Sequence, residues 1–305
     1  MSKRFLVYGG TGAQGGAVVK ALLNHGARVR MLVRDLAKNS FAGDQRVEPV
    51  VGEFGDQASL VRASRAVDGV YLVMPLVYDR PKVVQWGKNA IDAAVEAGAP
   101  LIVFNTSSVV AERMTGVSAI DIKVELEAYL KAAHIPSVVL RTTLYFGNLA
   151  APWSAPAIVH QGVLAYPLPA EHKVSWLSWE DAAAFAVQAL MRPEIAALKP
   201  TYQTGGAQAL TGTELAATLS NVLGRPVAYV PVALDQFETG LNASFGAPVG
   251  TEVAHFYRWL TNTSQRDVLN VDPRPVLAAL PVHLTSFDAW ARAIPWQTLA
   301  GEATE

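Results

Sequence analysis

The run Gly9-Gly10-Thr11-Gly12-Ala13-Gln14-Gly15 constrains this chain more than any other feature. It follows Arg4–Tyr8, a short β-branched and aromatic stretch. It precedes Gly15–His25, where Val18, Ala21 and Leu22 recur at helical spacing until Gly26 stops the pattern. A G-x-x-G-x-x-G spacing between a strand and a helix has a physical use. One glycine makes the tight turn, one lets the backbone approach a pyrophosphate, and the last lets the helix pack close to the strand. The helix start then offers unpaired N–H groups and a partial positive charge to the phosphates. A glycine-rich turn with no ligand has the same composition. Its place in the first βα turn of an alternating pattern favours nucleotide binding.

That alternation covers the first 145 residues. Strands are predicted over Arg28–Val33, Arg46–Val51, Gly69–Met74, Leu101–Asn105 and Ser137–Arg141. Helices are predicted over Gln57–Ala66, Pro81–Ala97 and Ile120–Ala133. Short apolar strands separated by helices imply a parallel sheet covered on both faces, with right-handed crossovers. After Asn148 the texture changes: Pro152, Pro156, Pro167 and Pro169 fall among Trp153, Tyr166, Trp176 and Trp179. Helical patterns return at Glu180–Met191 and Thr213–Leu223, and the chain from Phe237 onward reads as helical and loop-rich. The expected fold is α/β: a Rossmann-type doubly wound parallel sheet with a smaller C-terminal substrate lobe. Residues 1–150 would form the nucleotide-binding domain and 151–305 the lobe, some of whose segments return to the first domain. A cleft between the two is expected.

Composition removes other classes. The 25 Lys+Arg against 26 Asp+Glu leave no basic excess for binding nucleic acid by bulk charge. With 51% hydrophobic and 17% charged residues, the chain can build a core. It has no cysteine, which excludes disulfides, thiolate catalysis and Cys-ligated zinc. No His/Asp/Glu cluster has metal spacing and no G-x-S-x-G elbow occurs, so neither a metal nor serine hydrolysis is expected. No apolar run approaches a membrane span, and the first residues lack a secretory signal's apolar core. A cytoplasmic protein without membrane attachment is expected, and a homodimer is compatible with the sequence.

The predicted strand tips add candidate ligand contacts, because ligands of open α/β sheets bind beyond the carboxyl ends of the strands. The loop supplies Gly9, Thr11, Gly12, Ala13, Gln14 and Gly15. Strand two ends at Arg34-Asp35, where the adenosine ribose would fall. Arg34, with Lys38 one turn on, would bind a 2′-phosphate and select NADP. Asp35, if it points there instead, would select NAD. Glu53 and Phe54 follow strand three, where an apolar ring would flank adenine or simply join the core. Met74 and Pro75 end strand four; Asn105 and the Ser107 hydroxyl end strand five.

These residues carry a resemblance. GGTGAQGG, the LVRD end of strand two, NTSS at 105–108, Lys123 with Glu127, RTTLYFGN at 141–148 and SFDAWARAIPW near the C-terminus resemble the NmrA-like branch of the atypical short-chain dehydrogenase/reductases. The resemblance implies a Rossmann-type fold with a small substrate lobe, Tyr145 near the cofactor, and an activity such as quinone or isoflavone-type reduction. The branch also contains cofactor-sensing regulators. One departure stands out. Most short-chain dehydrogenases place a proton-donating Tyr four residues before the active-site Lys, and here that position is Ala119. Tyr129 lies too far along the same helix to replace it. Lys123 and Ser107 are then the catalytic candidates: the resemblance to isoflavone-type reductases implies that Lys123 binds the nicotinamide ribose or orients a substrate oxygen, and the Ser107 hydroxyl would help to steady that oxygen. A quinone suits such a site because its reduced oxygen is delocalised and weakly basic. The aromatics Tyr145, Phe146, Trp153, Tyr166, Trp176 and Trp179 suit a small planar aromatic substrate, with Phe146, Asn148, Trp153 and Trp176 as its expected contacts. His160 and His172 are alternative acids. Two other readings fit the same residues: a non-catalytic NADP(H)-sensing regulator, and a tailoring enzyme of aromatic polyketides, oxidative or not.

Overall fold

Apart from the third, Arg46–Val51, the predicted strands are almost wholly buried, and burial on both faces puts helices on both sides of one sheet. In the computed structural model, which describes residues 2–262, 265 and 267–301, the alternation runs β1 (Arg4–Val7), α1 (Ala13–Asn24), β2 (Arg28–Val33), β3 (Val47–Val51), α2 (Gln57–Ser64), β4 (Gly69–Val73), α3 (Arg80–Glu96), β5 (Ile102–Asn105), α4 (Ser118–Ala132) and β6 (Ser137–Thr142). Later come β7 (Val163–Tyr166), α5 (Trp179–Met191), α6 (Pro193–Ala196), β8 (Thr201–Thr204), α7 (Gly212–Leu223), β9 (Ala228–Pro231), α8 (Leu234–Phe245), α9 (Ala247–Leu260), α10 (Arg274–Ala279), α11 (Phe287–Ala293) and α12 (Trp296–Ala300). The main sheet has the order β3-β2-β1-β4-β5-β6-β8. Every pairing from β3 through β6 is parallel. The order reverses between β1 and β4, which places the crevice of a doubly wound sheet beyond their carboxyl ends.

The predicted elements are present, with shifted ends. The first helix begins at Ala13 rather than Gly15, because Gly12 already serves as its extended cap. The third helix begins at Arg80, ahead of Pro81, because the Asp79 carboxylate accepts from Lys82 N–H at 3.3 Å. Proline is tolerated there since the first-turn N–H groups have no helical partner. The strands β7, β8 and β9 lie outside the predicted set.

Two compact units divide the chain. The first comprises Met1–Thr142, Trp179–Gln203 and Val276–Val282. Its helices press small residues against their neighbours: an added Cβ at Gly87 of α3 would fall 2.4 Å from Leu126 of α4. Asp121, 1% exposed, closes the loop before α4 by accepting from Thr115 N–H at 2.7 Å and Gly116 N–H at 2.9 Å. Arg80 lies 3.5 Å from this carboxylate and bonds Glu125.

The second unit comprises Thr143–Ser178, Thr204–Pro275 and His283–Glu305. A two-stranded parallel sheet joins β7 to β9. A capping box between Thr211 and Glu214 starts α7, and Gly224 at φ +66° ends it. Helix α8 buries none of its residues and is tied to α9 by Arg258, which pairs with Asp235 at 2.6 Å and Glu238 at 2.7 Å. Among the described residues, no helix is long and apolar enough to cross a membrane.

Candidate cofactor and catalytic site

The glycine loop is built by close backbone contact. Gly9 turns the chain at φ +67°, and its carbonyl accepts from Gly12 N–H at 2.9 Å. A Cβ at Gly15 would lie 2.2 Å from the Gly9 oxygen and 2.8 Å from the Gly10 nitrogen, so only hydrogen fits where α1 crosses β1. Gly12 is different: it is exposed, and an added Cβ would come no closer than 3.4 Å, to the Gly9 oxygen. The start of α1 has no side-chain cap and no acidic residue in its first turn, whereas Asp56 and Asp79 cap α2 and α3. A helix start that no side chain caps, led by a glycine at its N-cap, fits a pyrophosphate.

At the tip of β2, Arg34 and Lys38 are both exposed. The Asp35 carboxylate turns back to accept from Ala37 N–H at 2.9 Å and caps the short 3-10 turn Leu36–Lys38. With the Asp35 carboxylate turned to the backbone, the exposed Arg34 and Lys38 at this tip suit a 2′-phosphate better than a ribose hydroxyl. Glu53 is exposed after β3. Phe54 is half-buried in an aromatic stack, 5.3 Å from the Tyr8 ring and 5.9 Å from Trp86. After β4, Met74 is half-buried, and Pro75 and Leu76 are exposed.

The tip of β5 carries the densest polar network. Gln14 reaches across from α1, and its Oε1 accepts from Ser107 Oγ at 3.0 Å and from Asn105 Nδ2 at 3.3 Å. Asn105 Nδ2 also donates to Tyr71 Oη at 2.8 Å, while Asn105 Oδ1 accepts from Ser107 N–H at 2.8 Å. Ser107 sits at φ +62°, a left-handed conformation that costs a side-chain-bearing residue roughly 1 kcal/mol or more. The next hydroxyl points elsewhere: Ser108 Oγ accepts from the Lys123 ammonium. Burial pulls the Lys123 ammonium down to about 7, and the Glu127 carboxylate one turn on pulls back up. Glu127 is itself paired with Arg141 at 2.6 Å. An ammonium that loses its proton near neutrality can hold or give one during a reaction.

The structure brings most of the sequence-predicted cofactor residues together on this edge: Gly9, Thr11, Gly12, Ala13, Gln14, Gly15, Arg34, Lys38, Met74, Pro75, Asn105 and Ser107 all lie on strand tips, loops or first helical turns at the carboxyl ends of β1, β2, β4 and β5. Of the two catalytic candidates, Lys123 donates to Ser108 and Ser107 donates to Gln14. Ala119, four residues before Lys123, is 3% exposed, and the Tyr129 hydroxyl is spent on Asp92 at 2.7 Å. Sequence reasoning placed the hydroxyls of residues 105–108 at this edge without singling out Ser108, and it missed Tyr71 and the exposed apolar Leu76 and Met114, which sit on the loops after β4 and β5.

The aromatics of the second unit form separate groups. Phe146, 2% exposed, packs against Phe287 at 5.1 Å and Trp290 at 5.2 Å. Trp176, also 2% exposed, meets Tyr166 edge-on at 5.1 Å. Burial pushes the Tyr166 hydroxyl up to about 12 against its bonds to Tyr257 and Asn148. Tyr145 is buried and bridges Leu177 through the backbone. Trp153 is 62% exposed and meets Phe245 edge-on at 5.6 Å. His160 lies in a π-helical turn, Ala157–Gln161, and His172 is buried in the turn after Pro169. Trp179 opens α5 in the first unit.

The profile of the NmrA-like family matches residues 1–291. The NAD(P)H azoreductase of Xenophilus azovorans is 35% identical over 238 residues, covering 76% of this chain and 78% of that one. Quinone oxidoreductase 2 of Escherichia coli is 27% identical over 246 residues, covering 80% and 82%. Among solved structures, the triphenylmethane reductase of Citrobacter sp. complexed with NADP(H) superimposes with a TM-score of 0.75 at 22% identity, covering 94% of this chain and 99% of that one.

Proposed function

The chain belongs to the NmrA-like family, and from that premise we propose that it reduces a planar, delocalised acceptor, a quinone or related aromatic, without a tyrosine proton donor. It is an NAD(P)H-dependent oxidoreductase. The observation that carries the finer reading is the Lys123–Ser108 pair at the strand edge that also holds the glycine loop. When bound, the reduced nicotinamide supplies a hydride. The chain's own residues do the rest. Backbone amides at the start of α1 bind the pyrophosphate, and Arg34 with Lys38 binds the 2′-phosphate. The acceptor gains two electrons and one proton with the hydride, which leaves one oxygen negatively charged. Lys123, beside Ser108 Oγ, holds the second proton and gives it to that oxygen, and solvent returns one to the amine.

The choice of acceptor follows from acidity. An isolated alkoxide needs a positioned acid as it forms, and Ala119 supplies none. A hydroquinone anion spreads its charge over the ring, so a nearby ammonium suffices. Exposed Leu76 and Met114 offer apolar surface on the same edge, and relatives named for azo and quinone reduction support the class. Purified protein with NADPH and a panel of naphthoquinones is expected to oxidise the coenzyme at about 1 s⁻¹ or faster. No oxidation with any quinone or azo dye in the panel would refute the reading.

A further inference from the structure

We propose that Gln14, acting through Ser107, is the positioning residue that sets the Lys123–Ser108 pair. The inference rests on the reductase reading above. Ser107 and Ser108 are consecutive, yet their hydroxyls serve different partners: Gln14 on the glycine loop and Lys123 on α4. Two adjacent side chains on extended backbone already point to opposite faces, but here the split is made by a left-handed residue at φ +62°. Serine does not prefer that conformation, and two bonds of its own, with a third between its two partners, hold it there. Its N–H donates to Asn105 Oδ1, its hydroxyl donates to Gln14 Oε1, and Asn105 Nδ2 donates to the same Gln14 oxygen. Tyr71 Oη steadies Asn105 from the neighbouring strand at 2.8 Å.

The Gln14 oxygen is therefore the shared acceptor that closes the network. Without it, Asn105 and Ser107 lose a common partner, and Ser107 can relax toward ordinary backbone angles. That rotation would carry Ser108 away from Lys123. Gln14 belongs to the first turn of α1, the helix whose start faces the coenzyme's phosphates. Docking of the coenzyme on the loop and the aim of the proton donor thus meet in one side chain.

Glycine tests this directly, because it adopts positive φ without support. Gln14→Leu removes the acceptor and keeps the bulk. Its single-turnover rate with a naphthoquinone, measured at saturating NADPH, is expected to fall about tenfold or more. Adding Ser107→Gly to that variant is expected to restore the rate to within about threefold of wild type, since the turn no longer needs holding. The proposal is overturned if Gln14→Leu keeps the wild-type rate. It is equally overturned if the rate falls and Ser107→Gly does not restore it. Melting curves of both variants identify loss of folding: if Gln14→Leu unfolds, Gln14→Asn, whose shorter side chain withdraws the same oxygen, takes its place with the same two criteria. A wild-type protein that oxidises no NADPH takes down the reductase reading, and this inference with it; a wild type that turns over while the variants fail the criteria takes down this inference alone.

Discussion

Gly15→Ala is expected to destroy coenzyme binding and to destabilise the protein by about 3 kcal/mol. The added methyl would meet the Gly9 carbonyl at 2.2 Å and the Gly10 nitrogen at 2.8 Å. Both are backbone atoms of the turn itself, so no rotamer change relieves the clash. Helix α1 must back away from β1, and the amides at its start move off the pyrophosphate position with it. Loss of NADPH affinity by about 100-fold or more is the expected readout in a fluorescence titration. Gly43→Ala is the matched control, since nothing lies within 4 Å of a Cβ there. It should leave both melting temperature and affinity as they are. If Gly15→Ala bound NADPH normally, the cradle would lie elsewhere.

Lys123→Met is expected to lower the single-turnover rate by about 10² to 10³, equivalent to about 2.7–4 kcal/mol of barrier. Folding should survive, because methionine fills similar space and burial already disfavours the charge. The pH dependence gives a sharper signature. Burial holds the Lys123 ammonium down to about 7. Below that pH the group carries its proton and can donate. Above it the amine is neutral, so the wild-type rate should fall about tenfold per pH unit on the alkaline side. The methionine variant, having no such proton to lose, should show no limb there. A wild-type profile flat from pH 6 to 9, measured by stopped flow under single-turnover conditions, would remove Lys123 from the chemistry.

The fold was legible because its strongest signals are local. A glycine turn after a buried strand, continuous apolar strands and helices punctuated by Gly26 and Gly98 all act within a few residues. β8 escaped because TYQT is four residues long and takes an edge position, with no apolar run to mark it. The site was legible only to the level of residue type. NTSS announces hydroxyls at a strand tip, but which of them meets Lys123 depends on the φ of Ser107, held by a glutamine ninety-three positions away. Likewise Arg34 and Asp35 compete on paper. The contest turns on Asp35 capping the Leu36–Lys38 turn, a backbone contact that composition does not reveal. The aromatics were visible as a group, yet the partners that bury Phe146, namely Phe287 and Trp290, come from far along the chain.

The reductase chemistry depends on the loop at residues 9–15 and the cations after β2 acting as one coenzyme site. Isothermal titration of the wild type and of Arg34→Ala, each with NADPH and NADH, tests this most directly. The wild type should bind one NADPH per chain, about tenfold or more tighter than NADH, and Arg34→Ala should erase the preference by weakening NADPH alone. No heat of binding and no thermal shift with either coenzyme would contradict it.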